Sequence, residues 1–156
     1  MFTLSPERGD DYFTPERQIS RLREVLQGFG GLIAEIRDTL GPHSQIVYRP
    51  LQTVLVAKPW HKGHIVLIGD AVHAATPQLA SGAGAAVEDG VLLPEYLSTS
   101  ASLEQALEDF TNRRFGRCRD VVESSVRLGE LELSGGSGAE QERVYAEALT
   151  RLAAPA

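Results

Sequence analysis

The chain has 156 residues, a net charge of −6, and 42% hydrophobic against 23% charged residues. That length suits one core of ordinary size, the balance is that of a globular protein, and the acidic surplus argues against a nucleic-acid partner, whose backbone needs a basic face. The single cysteine, Cys118, excludes an internal disulfide and fits a reducing, cytoplasmic setting, while no apolar run approaches the roughly 18–20 residues that span a bilayer.

Phe2, Thr3 and Leu4 read as a short extended piece, followed by a polar turn through Pro6, Gly9, Asp10 and Asp11. The first residues lack the basic and apolar regions of a signal peptide. Thr14 before Pro15 marks a helix start, a capping hydroxyl followed by proline at the first helical position. Ile19, Leu22, Val25, Leu26 and Phe29 keep helical spacing and predict one buried face. Gly28, Gly30 and Gly31 end that helix. A second short helix is expected over 32–40, stopped by Gly41-Pro42.

Residues 45–57 are rich in β-formers, with Ile46, Val47 and Tyr48 separated by Pro50 from Leu51, Thr53, Val54, Leu55 and Val56. Pro59-Trp60-His61-Lys62-Gly63 reads as a turn. The apolar run at 64–68 has the pattern of a parallel strand buried on both faces. It ends at Gly69-Asp70. A loop with Thr76, Pro77 and Gln78 leads to a small-residue helix from about 82 to 97, with Pro94 predicting a kink or an early end near Leu93. Ser102 and Gln105 have capping-box spacing and open a long helix to about 128. Residues 134–138 read as a flexible break, and Ser137 with Glu140 opens a last helix to about 152.

The chemistry concentrates between His64 and Leu93. A strand delivers Asp70 to its C-terminal end, where open α/β sheets bind ligands and a carboxylate can accept hydrogen bonds from hydroxyls. Beyond it, Ser81-Gly82-Ala83-Gly84-Ala85 puts a turn of small residues at a helix N-terminus. Free N–H groups and the positive helix end point outward there, open to a flat or anionic ligand.

Each of these residues also has a plain structural reading. Asp70 can cap the following turn, and Gly82 and Gly84 can serve close helix packing. His73 can pair with Asp70 as a metal-binding D-x-x-H, or support the loop as a hydrogen-bonded histidine. Glu88 and Asp89 suit a solvated or inter-helix face, with a direct ligand role as the alternative. Trp60 reads as a core anchor, and Cys118 as a packing thiol rather than one activated by Arg117 and Arg119. Arg113 and Arg114 read as surface or inter-helix ion-pair partners rather than phosphate binders.

In order, Gly69-Asp70-Ala71-Val72-His73, Pro77, Gly82-Ala83-Gly84 and Glu88-Asp89 resemble the second FAD-binding motif of the FAD-dependent aromatic hydroxylases, the single-component (class A) flavoprotein monooxygenases. Pro59-Trp60-His61-Lys62-Gly63 and the Arg-bearing segment Phe110-Thr111-Asn112-Arg113-Arg114 resemble the family too, so the likeness covers roughly 15–130. It implies an α/β fold, α+β within this chain. The expected parts are the C-terminal portion of a Rossmann-like FAD domain, the tail of a substrate-domain β-sheet and terminal helices. The implied divisions are a substrate-domain remnant at 1–60, the last FAD-domain strand, loop and helix at 61–97, and C-terminal helices at 98–156.

By the same resemblance, Gly69, Asp70, Pro77, Gly82, Ala83 and Gly84 would contact FAD. Asp70 would take a ribityl hydroxyl, Pro77 would lie near the isoalloxazine, and the amides at 82–84 would face its pyrimidine edge. NAD(P)H would reduce the flavin, and O2 would then supply one oxygen atom to a small aromatic, phenolic substrate. No residue of this chain is assigned a catalytic or metal-binding role. The family's N-terminal GxGxxG fingerprint does not occur in the chain, so it resembles the C-terminal portion of a longer enzyme. The alternatives are a non-catalytic subunit needing a separate N-terminal chain, and a related FAD oxidoreductase or halogenase. The chain alone is expected to be inactive, and to self-associate or require its missing N-terminal portion.

Overall fold

The computed structural model describes residues 14–155; the extended piece and polar turn expected before Thr14 lie outside them. The fold divides between Pro50 and Leu51 into two units.

The first unit is a pair of helices, α1 (Pro15–Val25) and α2 (Gly31–Thr39). Thr14 Oγ1 accepts the Arg17 N–H at 3.4 Å, as its capping position predicts. The buried stripe is narrower than the spacing suggests. Leu26 is buried, but it lies in the turn beyond α1, and Phe29 is exposed. Arg23 Nη2 donates to the Leu40 carbonyl at the end of α2.

The second unit carries β1 (His61–Lys62), β2 (Ile65–Val66), α3 (Asp70–His73), a 3-10 turn (Pro77–Leu79), α4 (Gly82–Thr99), α5 (Leu103–Ser134) and α6 (Gly138–Leu152). Helices therefore dominate, and the sheet among the described residues is one antiparallel hairpin in which His61 faces Val66 and Lys62 faces Ile65. This corrects the expected parallel strand at 64–68 and the expected turn at 59–63. Gly63, with φ +58°, supplies the tight reversal. Among the described residues β2 has no parallel neighbour; Ile65 is 70% exposed, while Val66 packs against the cluster around Trp60.

No strand forms over 45–57. The β-formers after Pro50 are extended, but the Val54 and Val56 N–H groups donate to the Ala74 and Val72 carbonyls at 2.9 Å, so they bond the α3 segment instead of a sheet. Helix α4 also passes through Pro94 to Thr99, so of the expected kink or early end the early end does not occur. The carbonyl that Pro94 leaves without a donor belongs to Gly90, an exposed residue, so water can satisfy it.

The caps of the last helices follow local chemistry. Ser102 Oγ accepts the Gln105 N–H and Ser137 Oγ accepts the Glu140 N–H, both at 3.2 Å. Helix α5 runs one to two turns past its expected end. Gly135 closes it in the left-handed conformation (φ +68°), and the Gly136 N–H reaches back to the Leu131 carbonyl at 2.8 Å. The segment expected to be a flexible break is thus a tight helix cap.

Two apolar clusters hold this unit. Leu79, Ala85, Val121, Leu128 and Ala148 join the 3-10 turn, α4, α5 and α6. Trp60, Val72, Phe110 and Cys118 join the hairpin, α3 and α5, flanked by Leu92, Leu93 and Tyr96 of α4. Trp60 is the core anchor expected of it, and its Nε1–H donates to the Val56 carbonyl at 2.9 Å.

Candidate functional site

Gly69 occupies φ +59°, ψ −141°, a conformation that residues with a Cβ rarely adopt. A Cβ built there would stand 3.3 Å from Ala86 Cβ, so the turn sits directly against the beginning of α4. Asp70 follows as the first residue of α3 and is exposed. Farther along, a Cβ at Gly82 would lie 3.8 Å from Ala75 Cβ, which brings the loop after α3 to the same helix end.

The N-terminus of α4 has no side-chain cap. Ser81 stands at the cap position, but its hydroxyl donates to the Leu79 carbonyl at 3.0 Å. The first helical bond joins the Ala85 N–H to the Ser81 carbonyl. The amides of Gly82, Ala83 and Gly84 therefore lack partners within the helix. Ala83, Gly84 and Pro77 are exposed beside them, Gly82 is half-buried, and Gly69 is buried. The structure places Asp70 and the uncapped amides on the two flanks of one short contact between turn and helix. An acceptor for hydroxyls and donors for carbonyl or anionic oxygens are the kinds of group that a flavin with its ribityl chain would need.

Behind this surface lies a buried ionic network. Asp89 Oδ2 accepts the Gly69 N–H at 2.9 Å and lies 2.7 Å from His73 Nε2. Asp89 Oδ1 accepts Arg114 Nε–H at 2.7 Å. Arg114 Nη2 donates to the Ala85 carbonyl at 3.0 Å, and Nη1 stands 2.8 Å from Glu88 Oε2, an ion pair whose angle falls outside hydrogen-bond geometry. Glu88 is gripped in turn by Arg117 through two bonds of 2.8 and 2.7 Å. Arg117 also donates to the Leu152 and Ala154 carbonyls at the end of α6.

The charges follow from these contacts. Burial opposes ionisation of Asp89, but hydrogen bonds from His73, Gly69 and Arg114 outweigh it and hold its carboxyl below the usual value. Burial likewise opposes the His73 imidazolium, yet the Asp89 carboxylate prevails, and the ring is pushed up to about 10. Arg117 and then Arg114 hold Glu88 below its ordinary value against partial burial.

His73 is therefore the hydrogen-bonded loop histidine, and its partner is Asp89 rather than Asp70. Donor atoms of His73, Asp89 and Cys118 lie within 4.8 Å of one another, but Asp89 Oδ2 already engages His73 Nε2, and the cationic Arg114 guanidinium already holds Oδ1. Cys118 is fully buried, as a packing thiol should be. Arg114 and Asp89 are both without exposure, so the surface and solvated-face readings give way to the inter-helix one. Sequence reasoning missed their central place. The available signal was an acidic pair in a stretch, 82–93, otherwise made of Gly, Ala, Val and Leu, with arginines on the helix that follows.

Residues 33–125 match the model of the FAD binding domain family. The chain is 36% identical over 141 residues to YetM of Bacillus subtilis, whose name assigns it as an FAD-dependent monooxygenase, covering 90% of this chain and 38% of that protein. It is 35% identical over 129 residues to the aurachin C monooxygenase/isomerase of Stigmatella aurantiaca, covering 81% of this chain and 32% of the relative. It is 32% identical over 126 residues to the 2-heptyl-3-hydroxy-4(1H)-quinolone synthase of Pseudomonas aeruginosa, with 81% and 31% covered. No described helix is long and apolar enough to cross a membrane. The chain thus belongs to the FAD binding domain family and spans about a third of the length of these relatives.

Proposed function

We propose that this chain supplies the second flavin-contacting segment of an NAD(P)H-dependent monooxygenase acting on an electron-rich aromatic ring. The observation that carries this reading is the contact of Gly69, which precedes the exposed Asp70, with Ala86 of the helix whose first amides, at Gly82, Ala83 and Gly84, are uncapped. When bound, FAD supplies the redox chemistry, taking electrons from the nicotinamide and activating dioxygen for transfer of one oxygen atom. The chain's own residues bind and orient. Asp70 accepts from a ribityl hydroxyl, the 82–84 amides donate to the pyrimidine edge and favour negative charge there, and Pro77 lines the ring without offering a donor.

The substrate class extends from phenols to fused nitrogen heteroaromatics, since two relatives are named for quinolone and aurachin chemistry. A second reading, a subunit inactive without a separate N-terminal chain, is favoured by the exposed apolar side chains of Ile65, Leu67 and Ile68. The deciding measurement is the visible spectrum of the chain after incubation with FAD and gel filtration. Flavin bands should travel with the protein, and Asp70→Ala should weaken binding about tenfold, as loss of a charged acceptor does. A colourless protein would reject flavin binding by this chain alone and favour the second reading.

A further inference from the structure

We propose that Asp89, oriented by Arg114, is the positioning residue that sets the direction of Asp70, an inference that rests on the flavin-binding reading of Asp70. Helix α3 has four residues, too few to hold its shape unaided. Asp89 grips it at both ends with one oxygen. Oδ2 takes the N–H of Gly69, the residue before the first, and the ring of His73, the last. Gly69 is held in a conformation open mainly to glycine, so the bond to its N–H fixes the angle at which the chain enters Asp70. Asp89 itself touches no solvent and cannot meet the ligand.

Arg114 extends the same control to the other flank. Its Nε–H holds Asp89 Oδ1, and its Nη2 holds the carbonyl of Ala85, one residue beyond the uncapped amides. One guanidinium therefore ties the Asp70 turn to the α4 N-terminus and keeps acceptor and donors in register. Every partner of Asp89 is an N–H donor, so an asparagine must turn its amino group toward at least one of them.

The test compares Asp89→Asn with Leu131→Ala, a core change on α5 outside this network. Two readouts are taken: amide hydrogen exchange at Gly69 and His73 by NMR, and FAD affinity by fluorescence titration. Asp89→Asn should speed exchange at both amides and weaken FAD binding, each about tenfold or more. Leu131→Ala should move neither, even with a comparable loss of thermal stability. Should Asp89→Asn fail to fold, Arg114→Lys keeps the charge without the fork and should change both readouts about threefold.

Unchanged Gly69 exchange and FAD affinity in the folded variant would overturn the proposal. So would equal effects from Leu131→Ala. If the parent chain takes up no FAD, the flavin reading fails for this chain while Gly69 exchange still decides whether Asp89 holds the turn.

Discussion

Arg114 on α5 sets its Nε 2.7 Å from Asp89 Oδ1 on α4, with neither side chain exposed. Ions buried this fully are stable only together. Arg114→Met leaves both Asp89 and Glu88 short of a cation and should cost about 3–5 kcal/mol. Adding Asp89→Asn should cost less than the sum of the single changes, because the second substitution removes a charge the first has stranded. Urea unfolding of the two single variants and the double checks this, and strict additivity would refute the coupling.

Stability should have a plateau in mild acid. The Asp89 pKa is lowered from 3.8, so its contribution is present above that value and lost as pH falls below it. The His73 pKa is raised from 6.5 to about 10, so its contribution is complete below pH 6.5 and disappears as pH rises through 10. Thermal midpoints should hold between about pH 4 and 6.5 and then decline, with a slope of at most about 1.4 kcal/mol per pH unit for one linked proton. His73→Gln should flatten the alkaline arm. An identical arm in that variant would assign the decline to other groups.

Two neighbouring glycines and a distant one should respond with opposite sign. Gly135→Ala forces a Cβ into φ +68° and should cost about 1–2 kcal/mol. Gly136→Ala would put a Cβ 2.9 Å from Leu131 Cδ2 and 3.1 Å from the Leu131 carbonyl, which cannot yield cheaply, and should cost more. Gly90→Ala, mid-helix with nothing within 4 Å, should stabilise by about 0.5–1 kcal/mol. Thermal unfolding followed by circular dichroism ranks the three.

The purified chain should self-associate. Ile65 is 70% exposed, and Val87 and Val91, one helical turn apart on α4, are 67% and 65% exposed. Val87→Glu with Val91→Lys should shift the species in multi-angle light scattering toward monomer. A monodisperse monomer of the parent chain at micromolar concentrations would contradict this.

Elements with local causes were legible in the chain. The caps at Thr14, Ser102 and Ser137 need only a hydroxyl and an amide three residues on, and all three formed. The run at 64–68 misled because a continuous apolar pattern reports neighbours on both faces, and among the described residues only β1 lies beside it. The candidate contacts at Gly69, Asp70, Pro77 and 82–84 were implied by the family resemblance of an ordered string, whose helix start at Gly82 is itself a local feature. The Asp89–Arg114 pair could not be read in the same way. The two residues are 25 positions apart, and no local rule of spacing links them.

Trp60 is the only tryptophan in the chain. Its ring lies 5.8 Å from that of His73, 6.5 Å from Phe110 and 6.0 Å from Phe115. The protein therefore carries an intrinsic optical reporter at the joint between hairpin, α3 and α5. Its emission will sense the polarity of that joint and the charge on the neighbouring imidazole, and no label need be attached to follow the core behind Asp70.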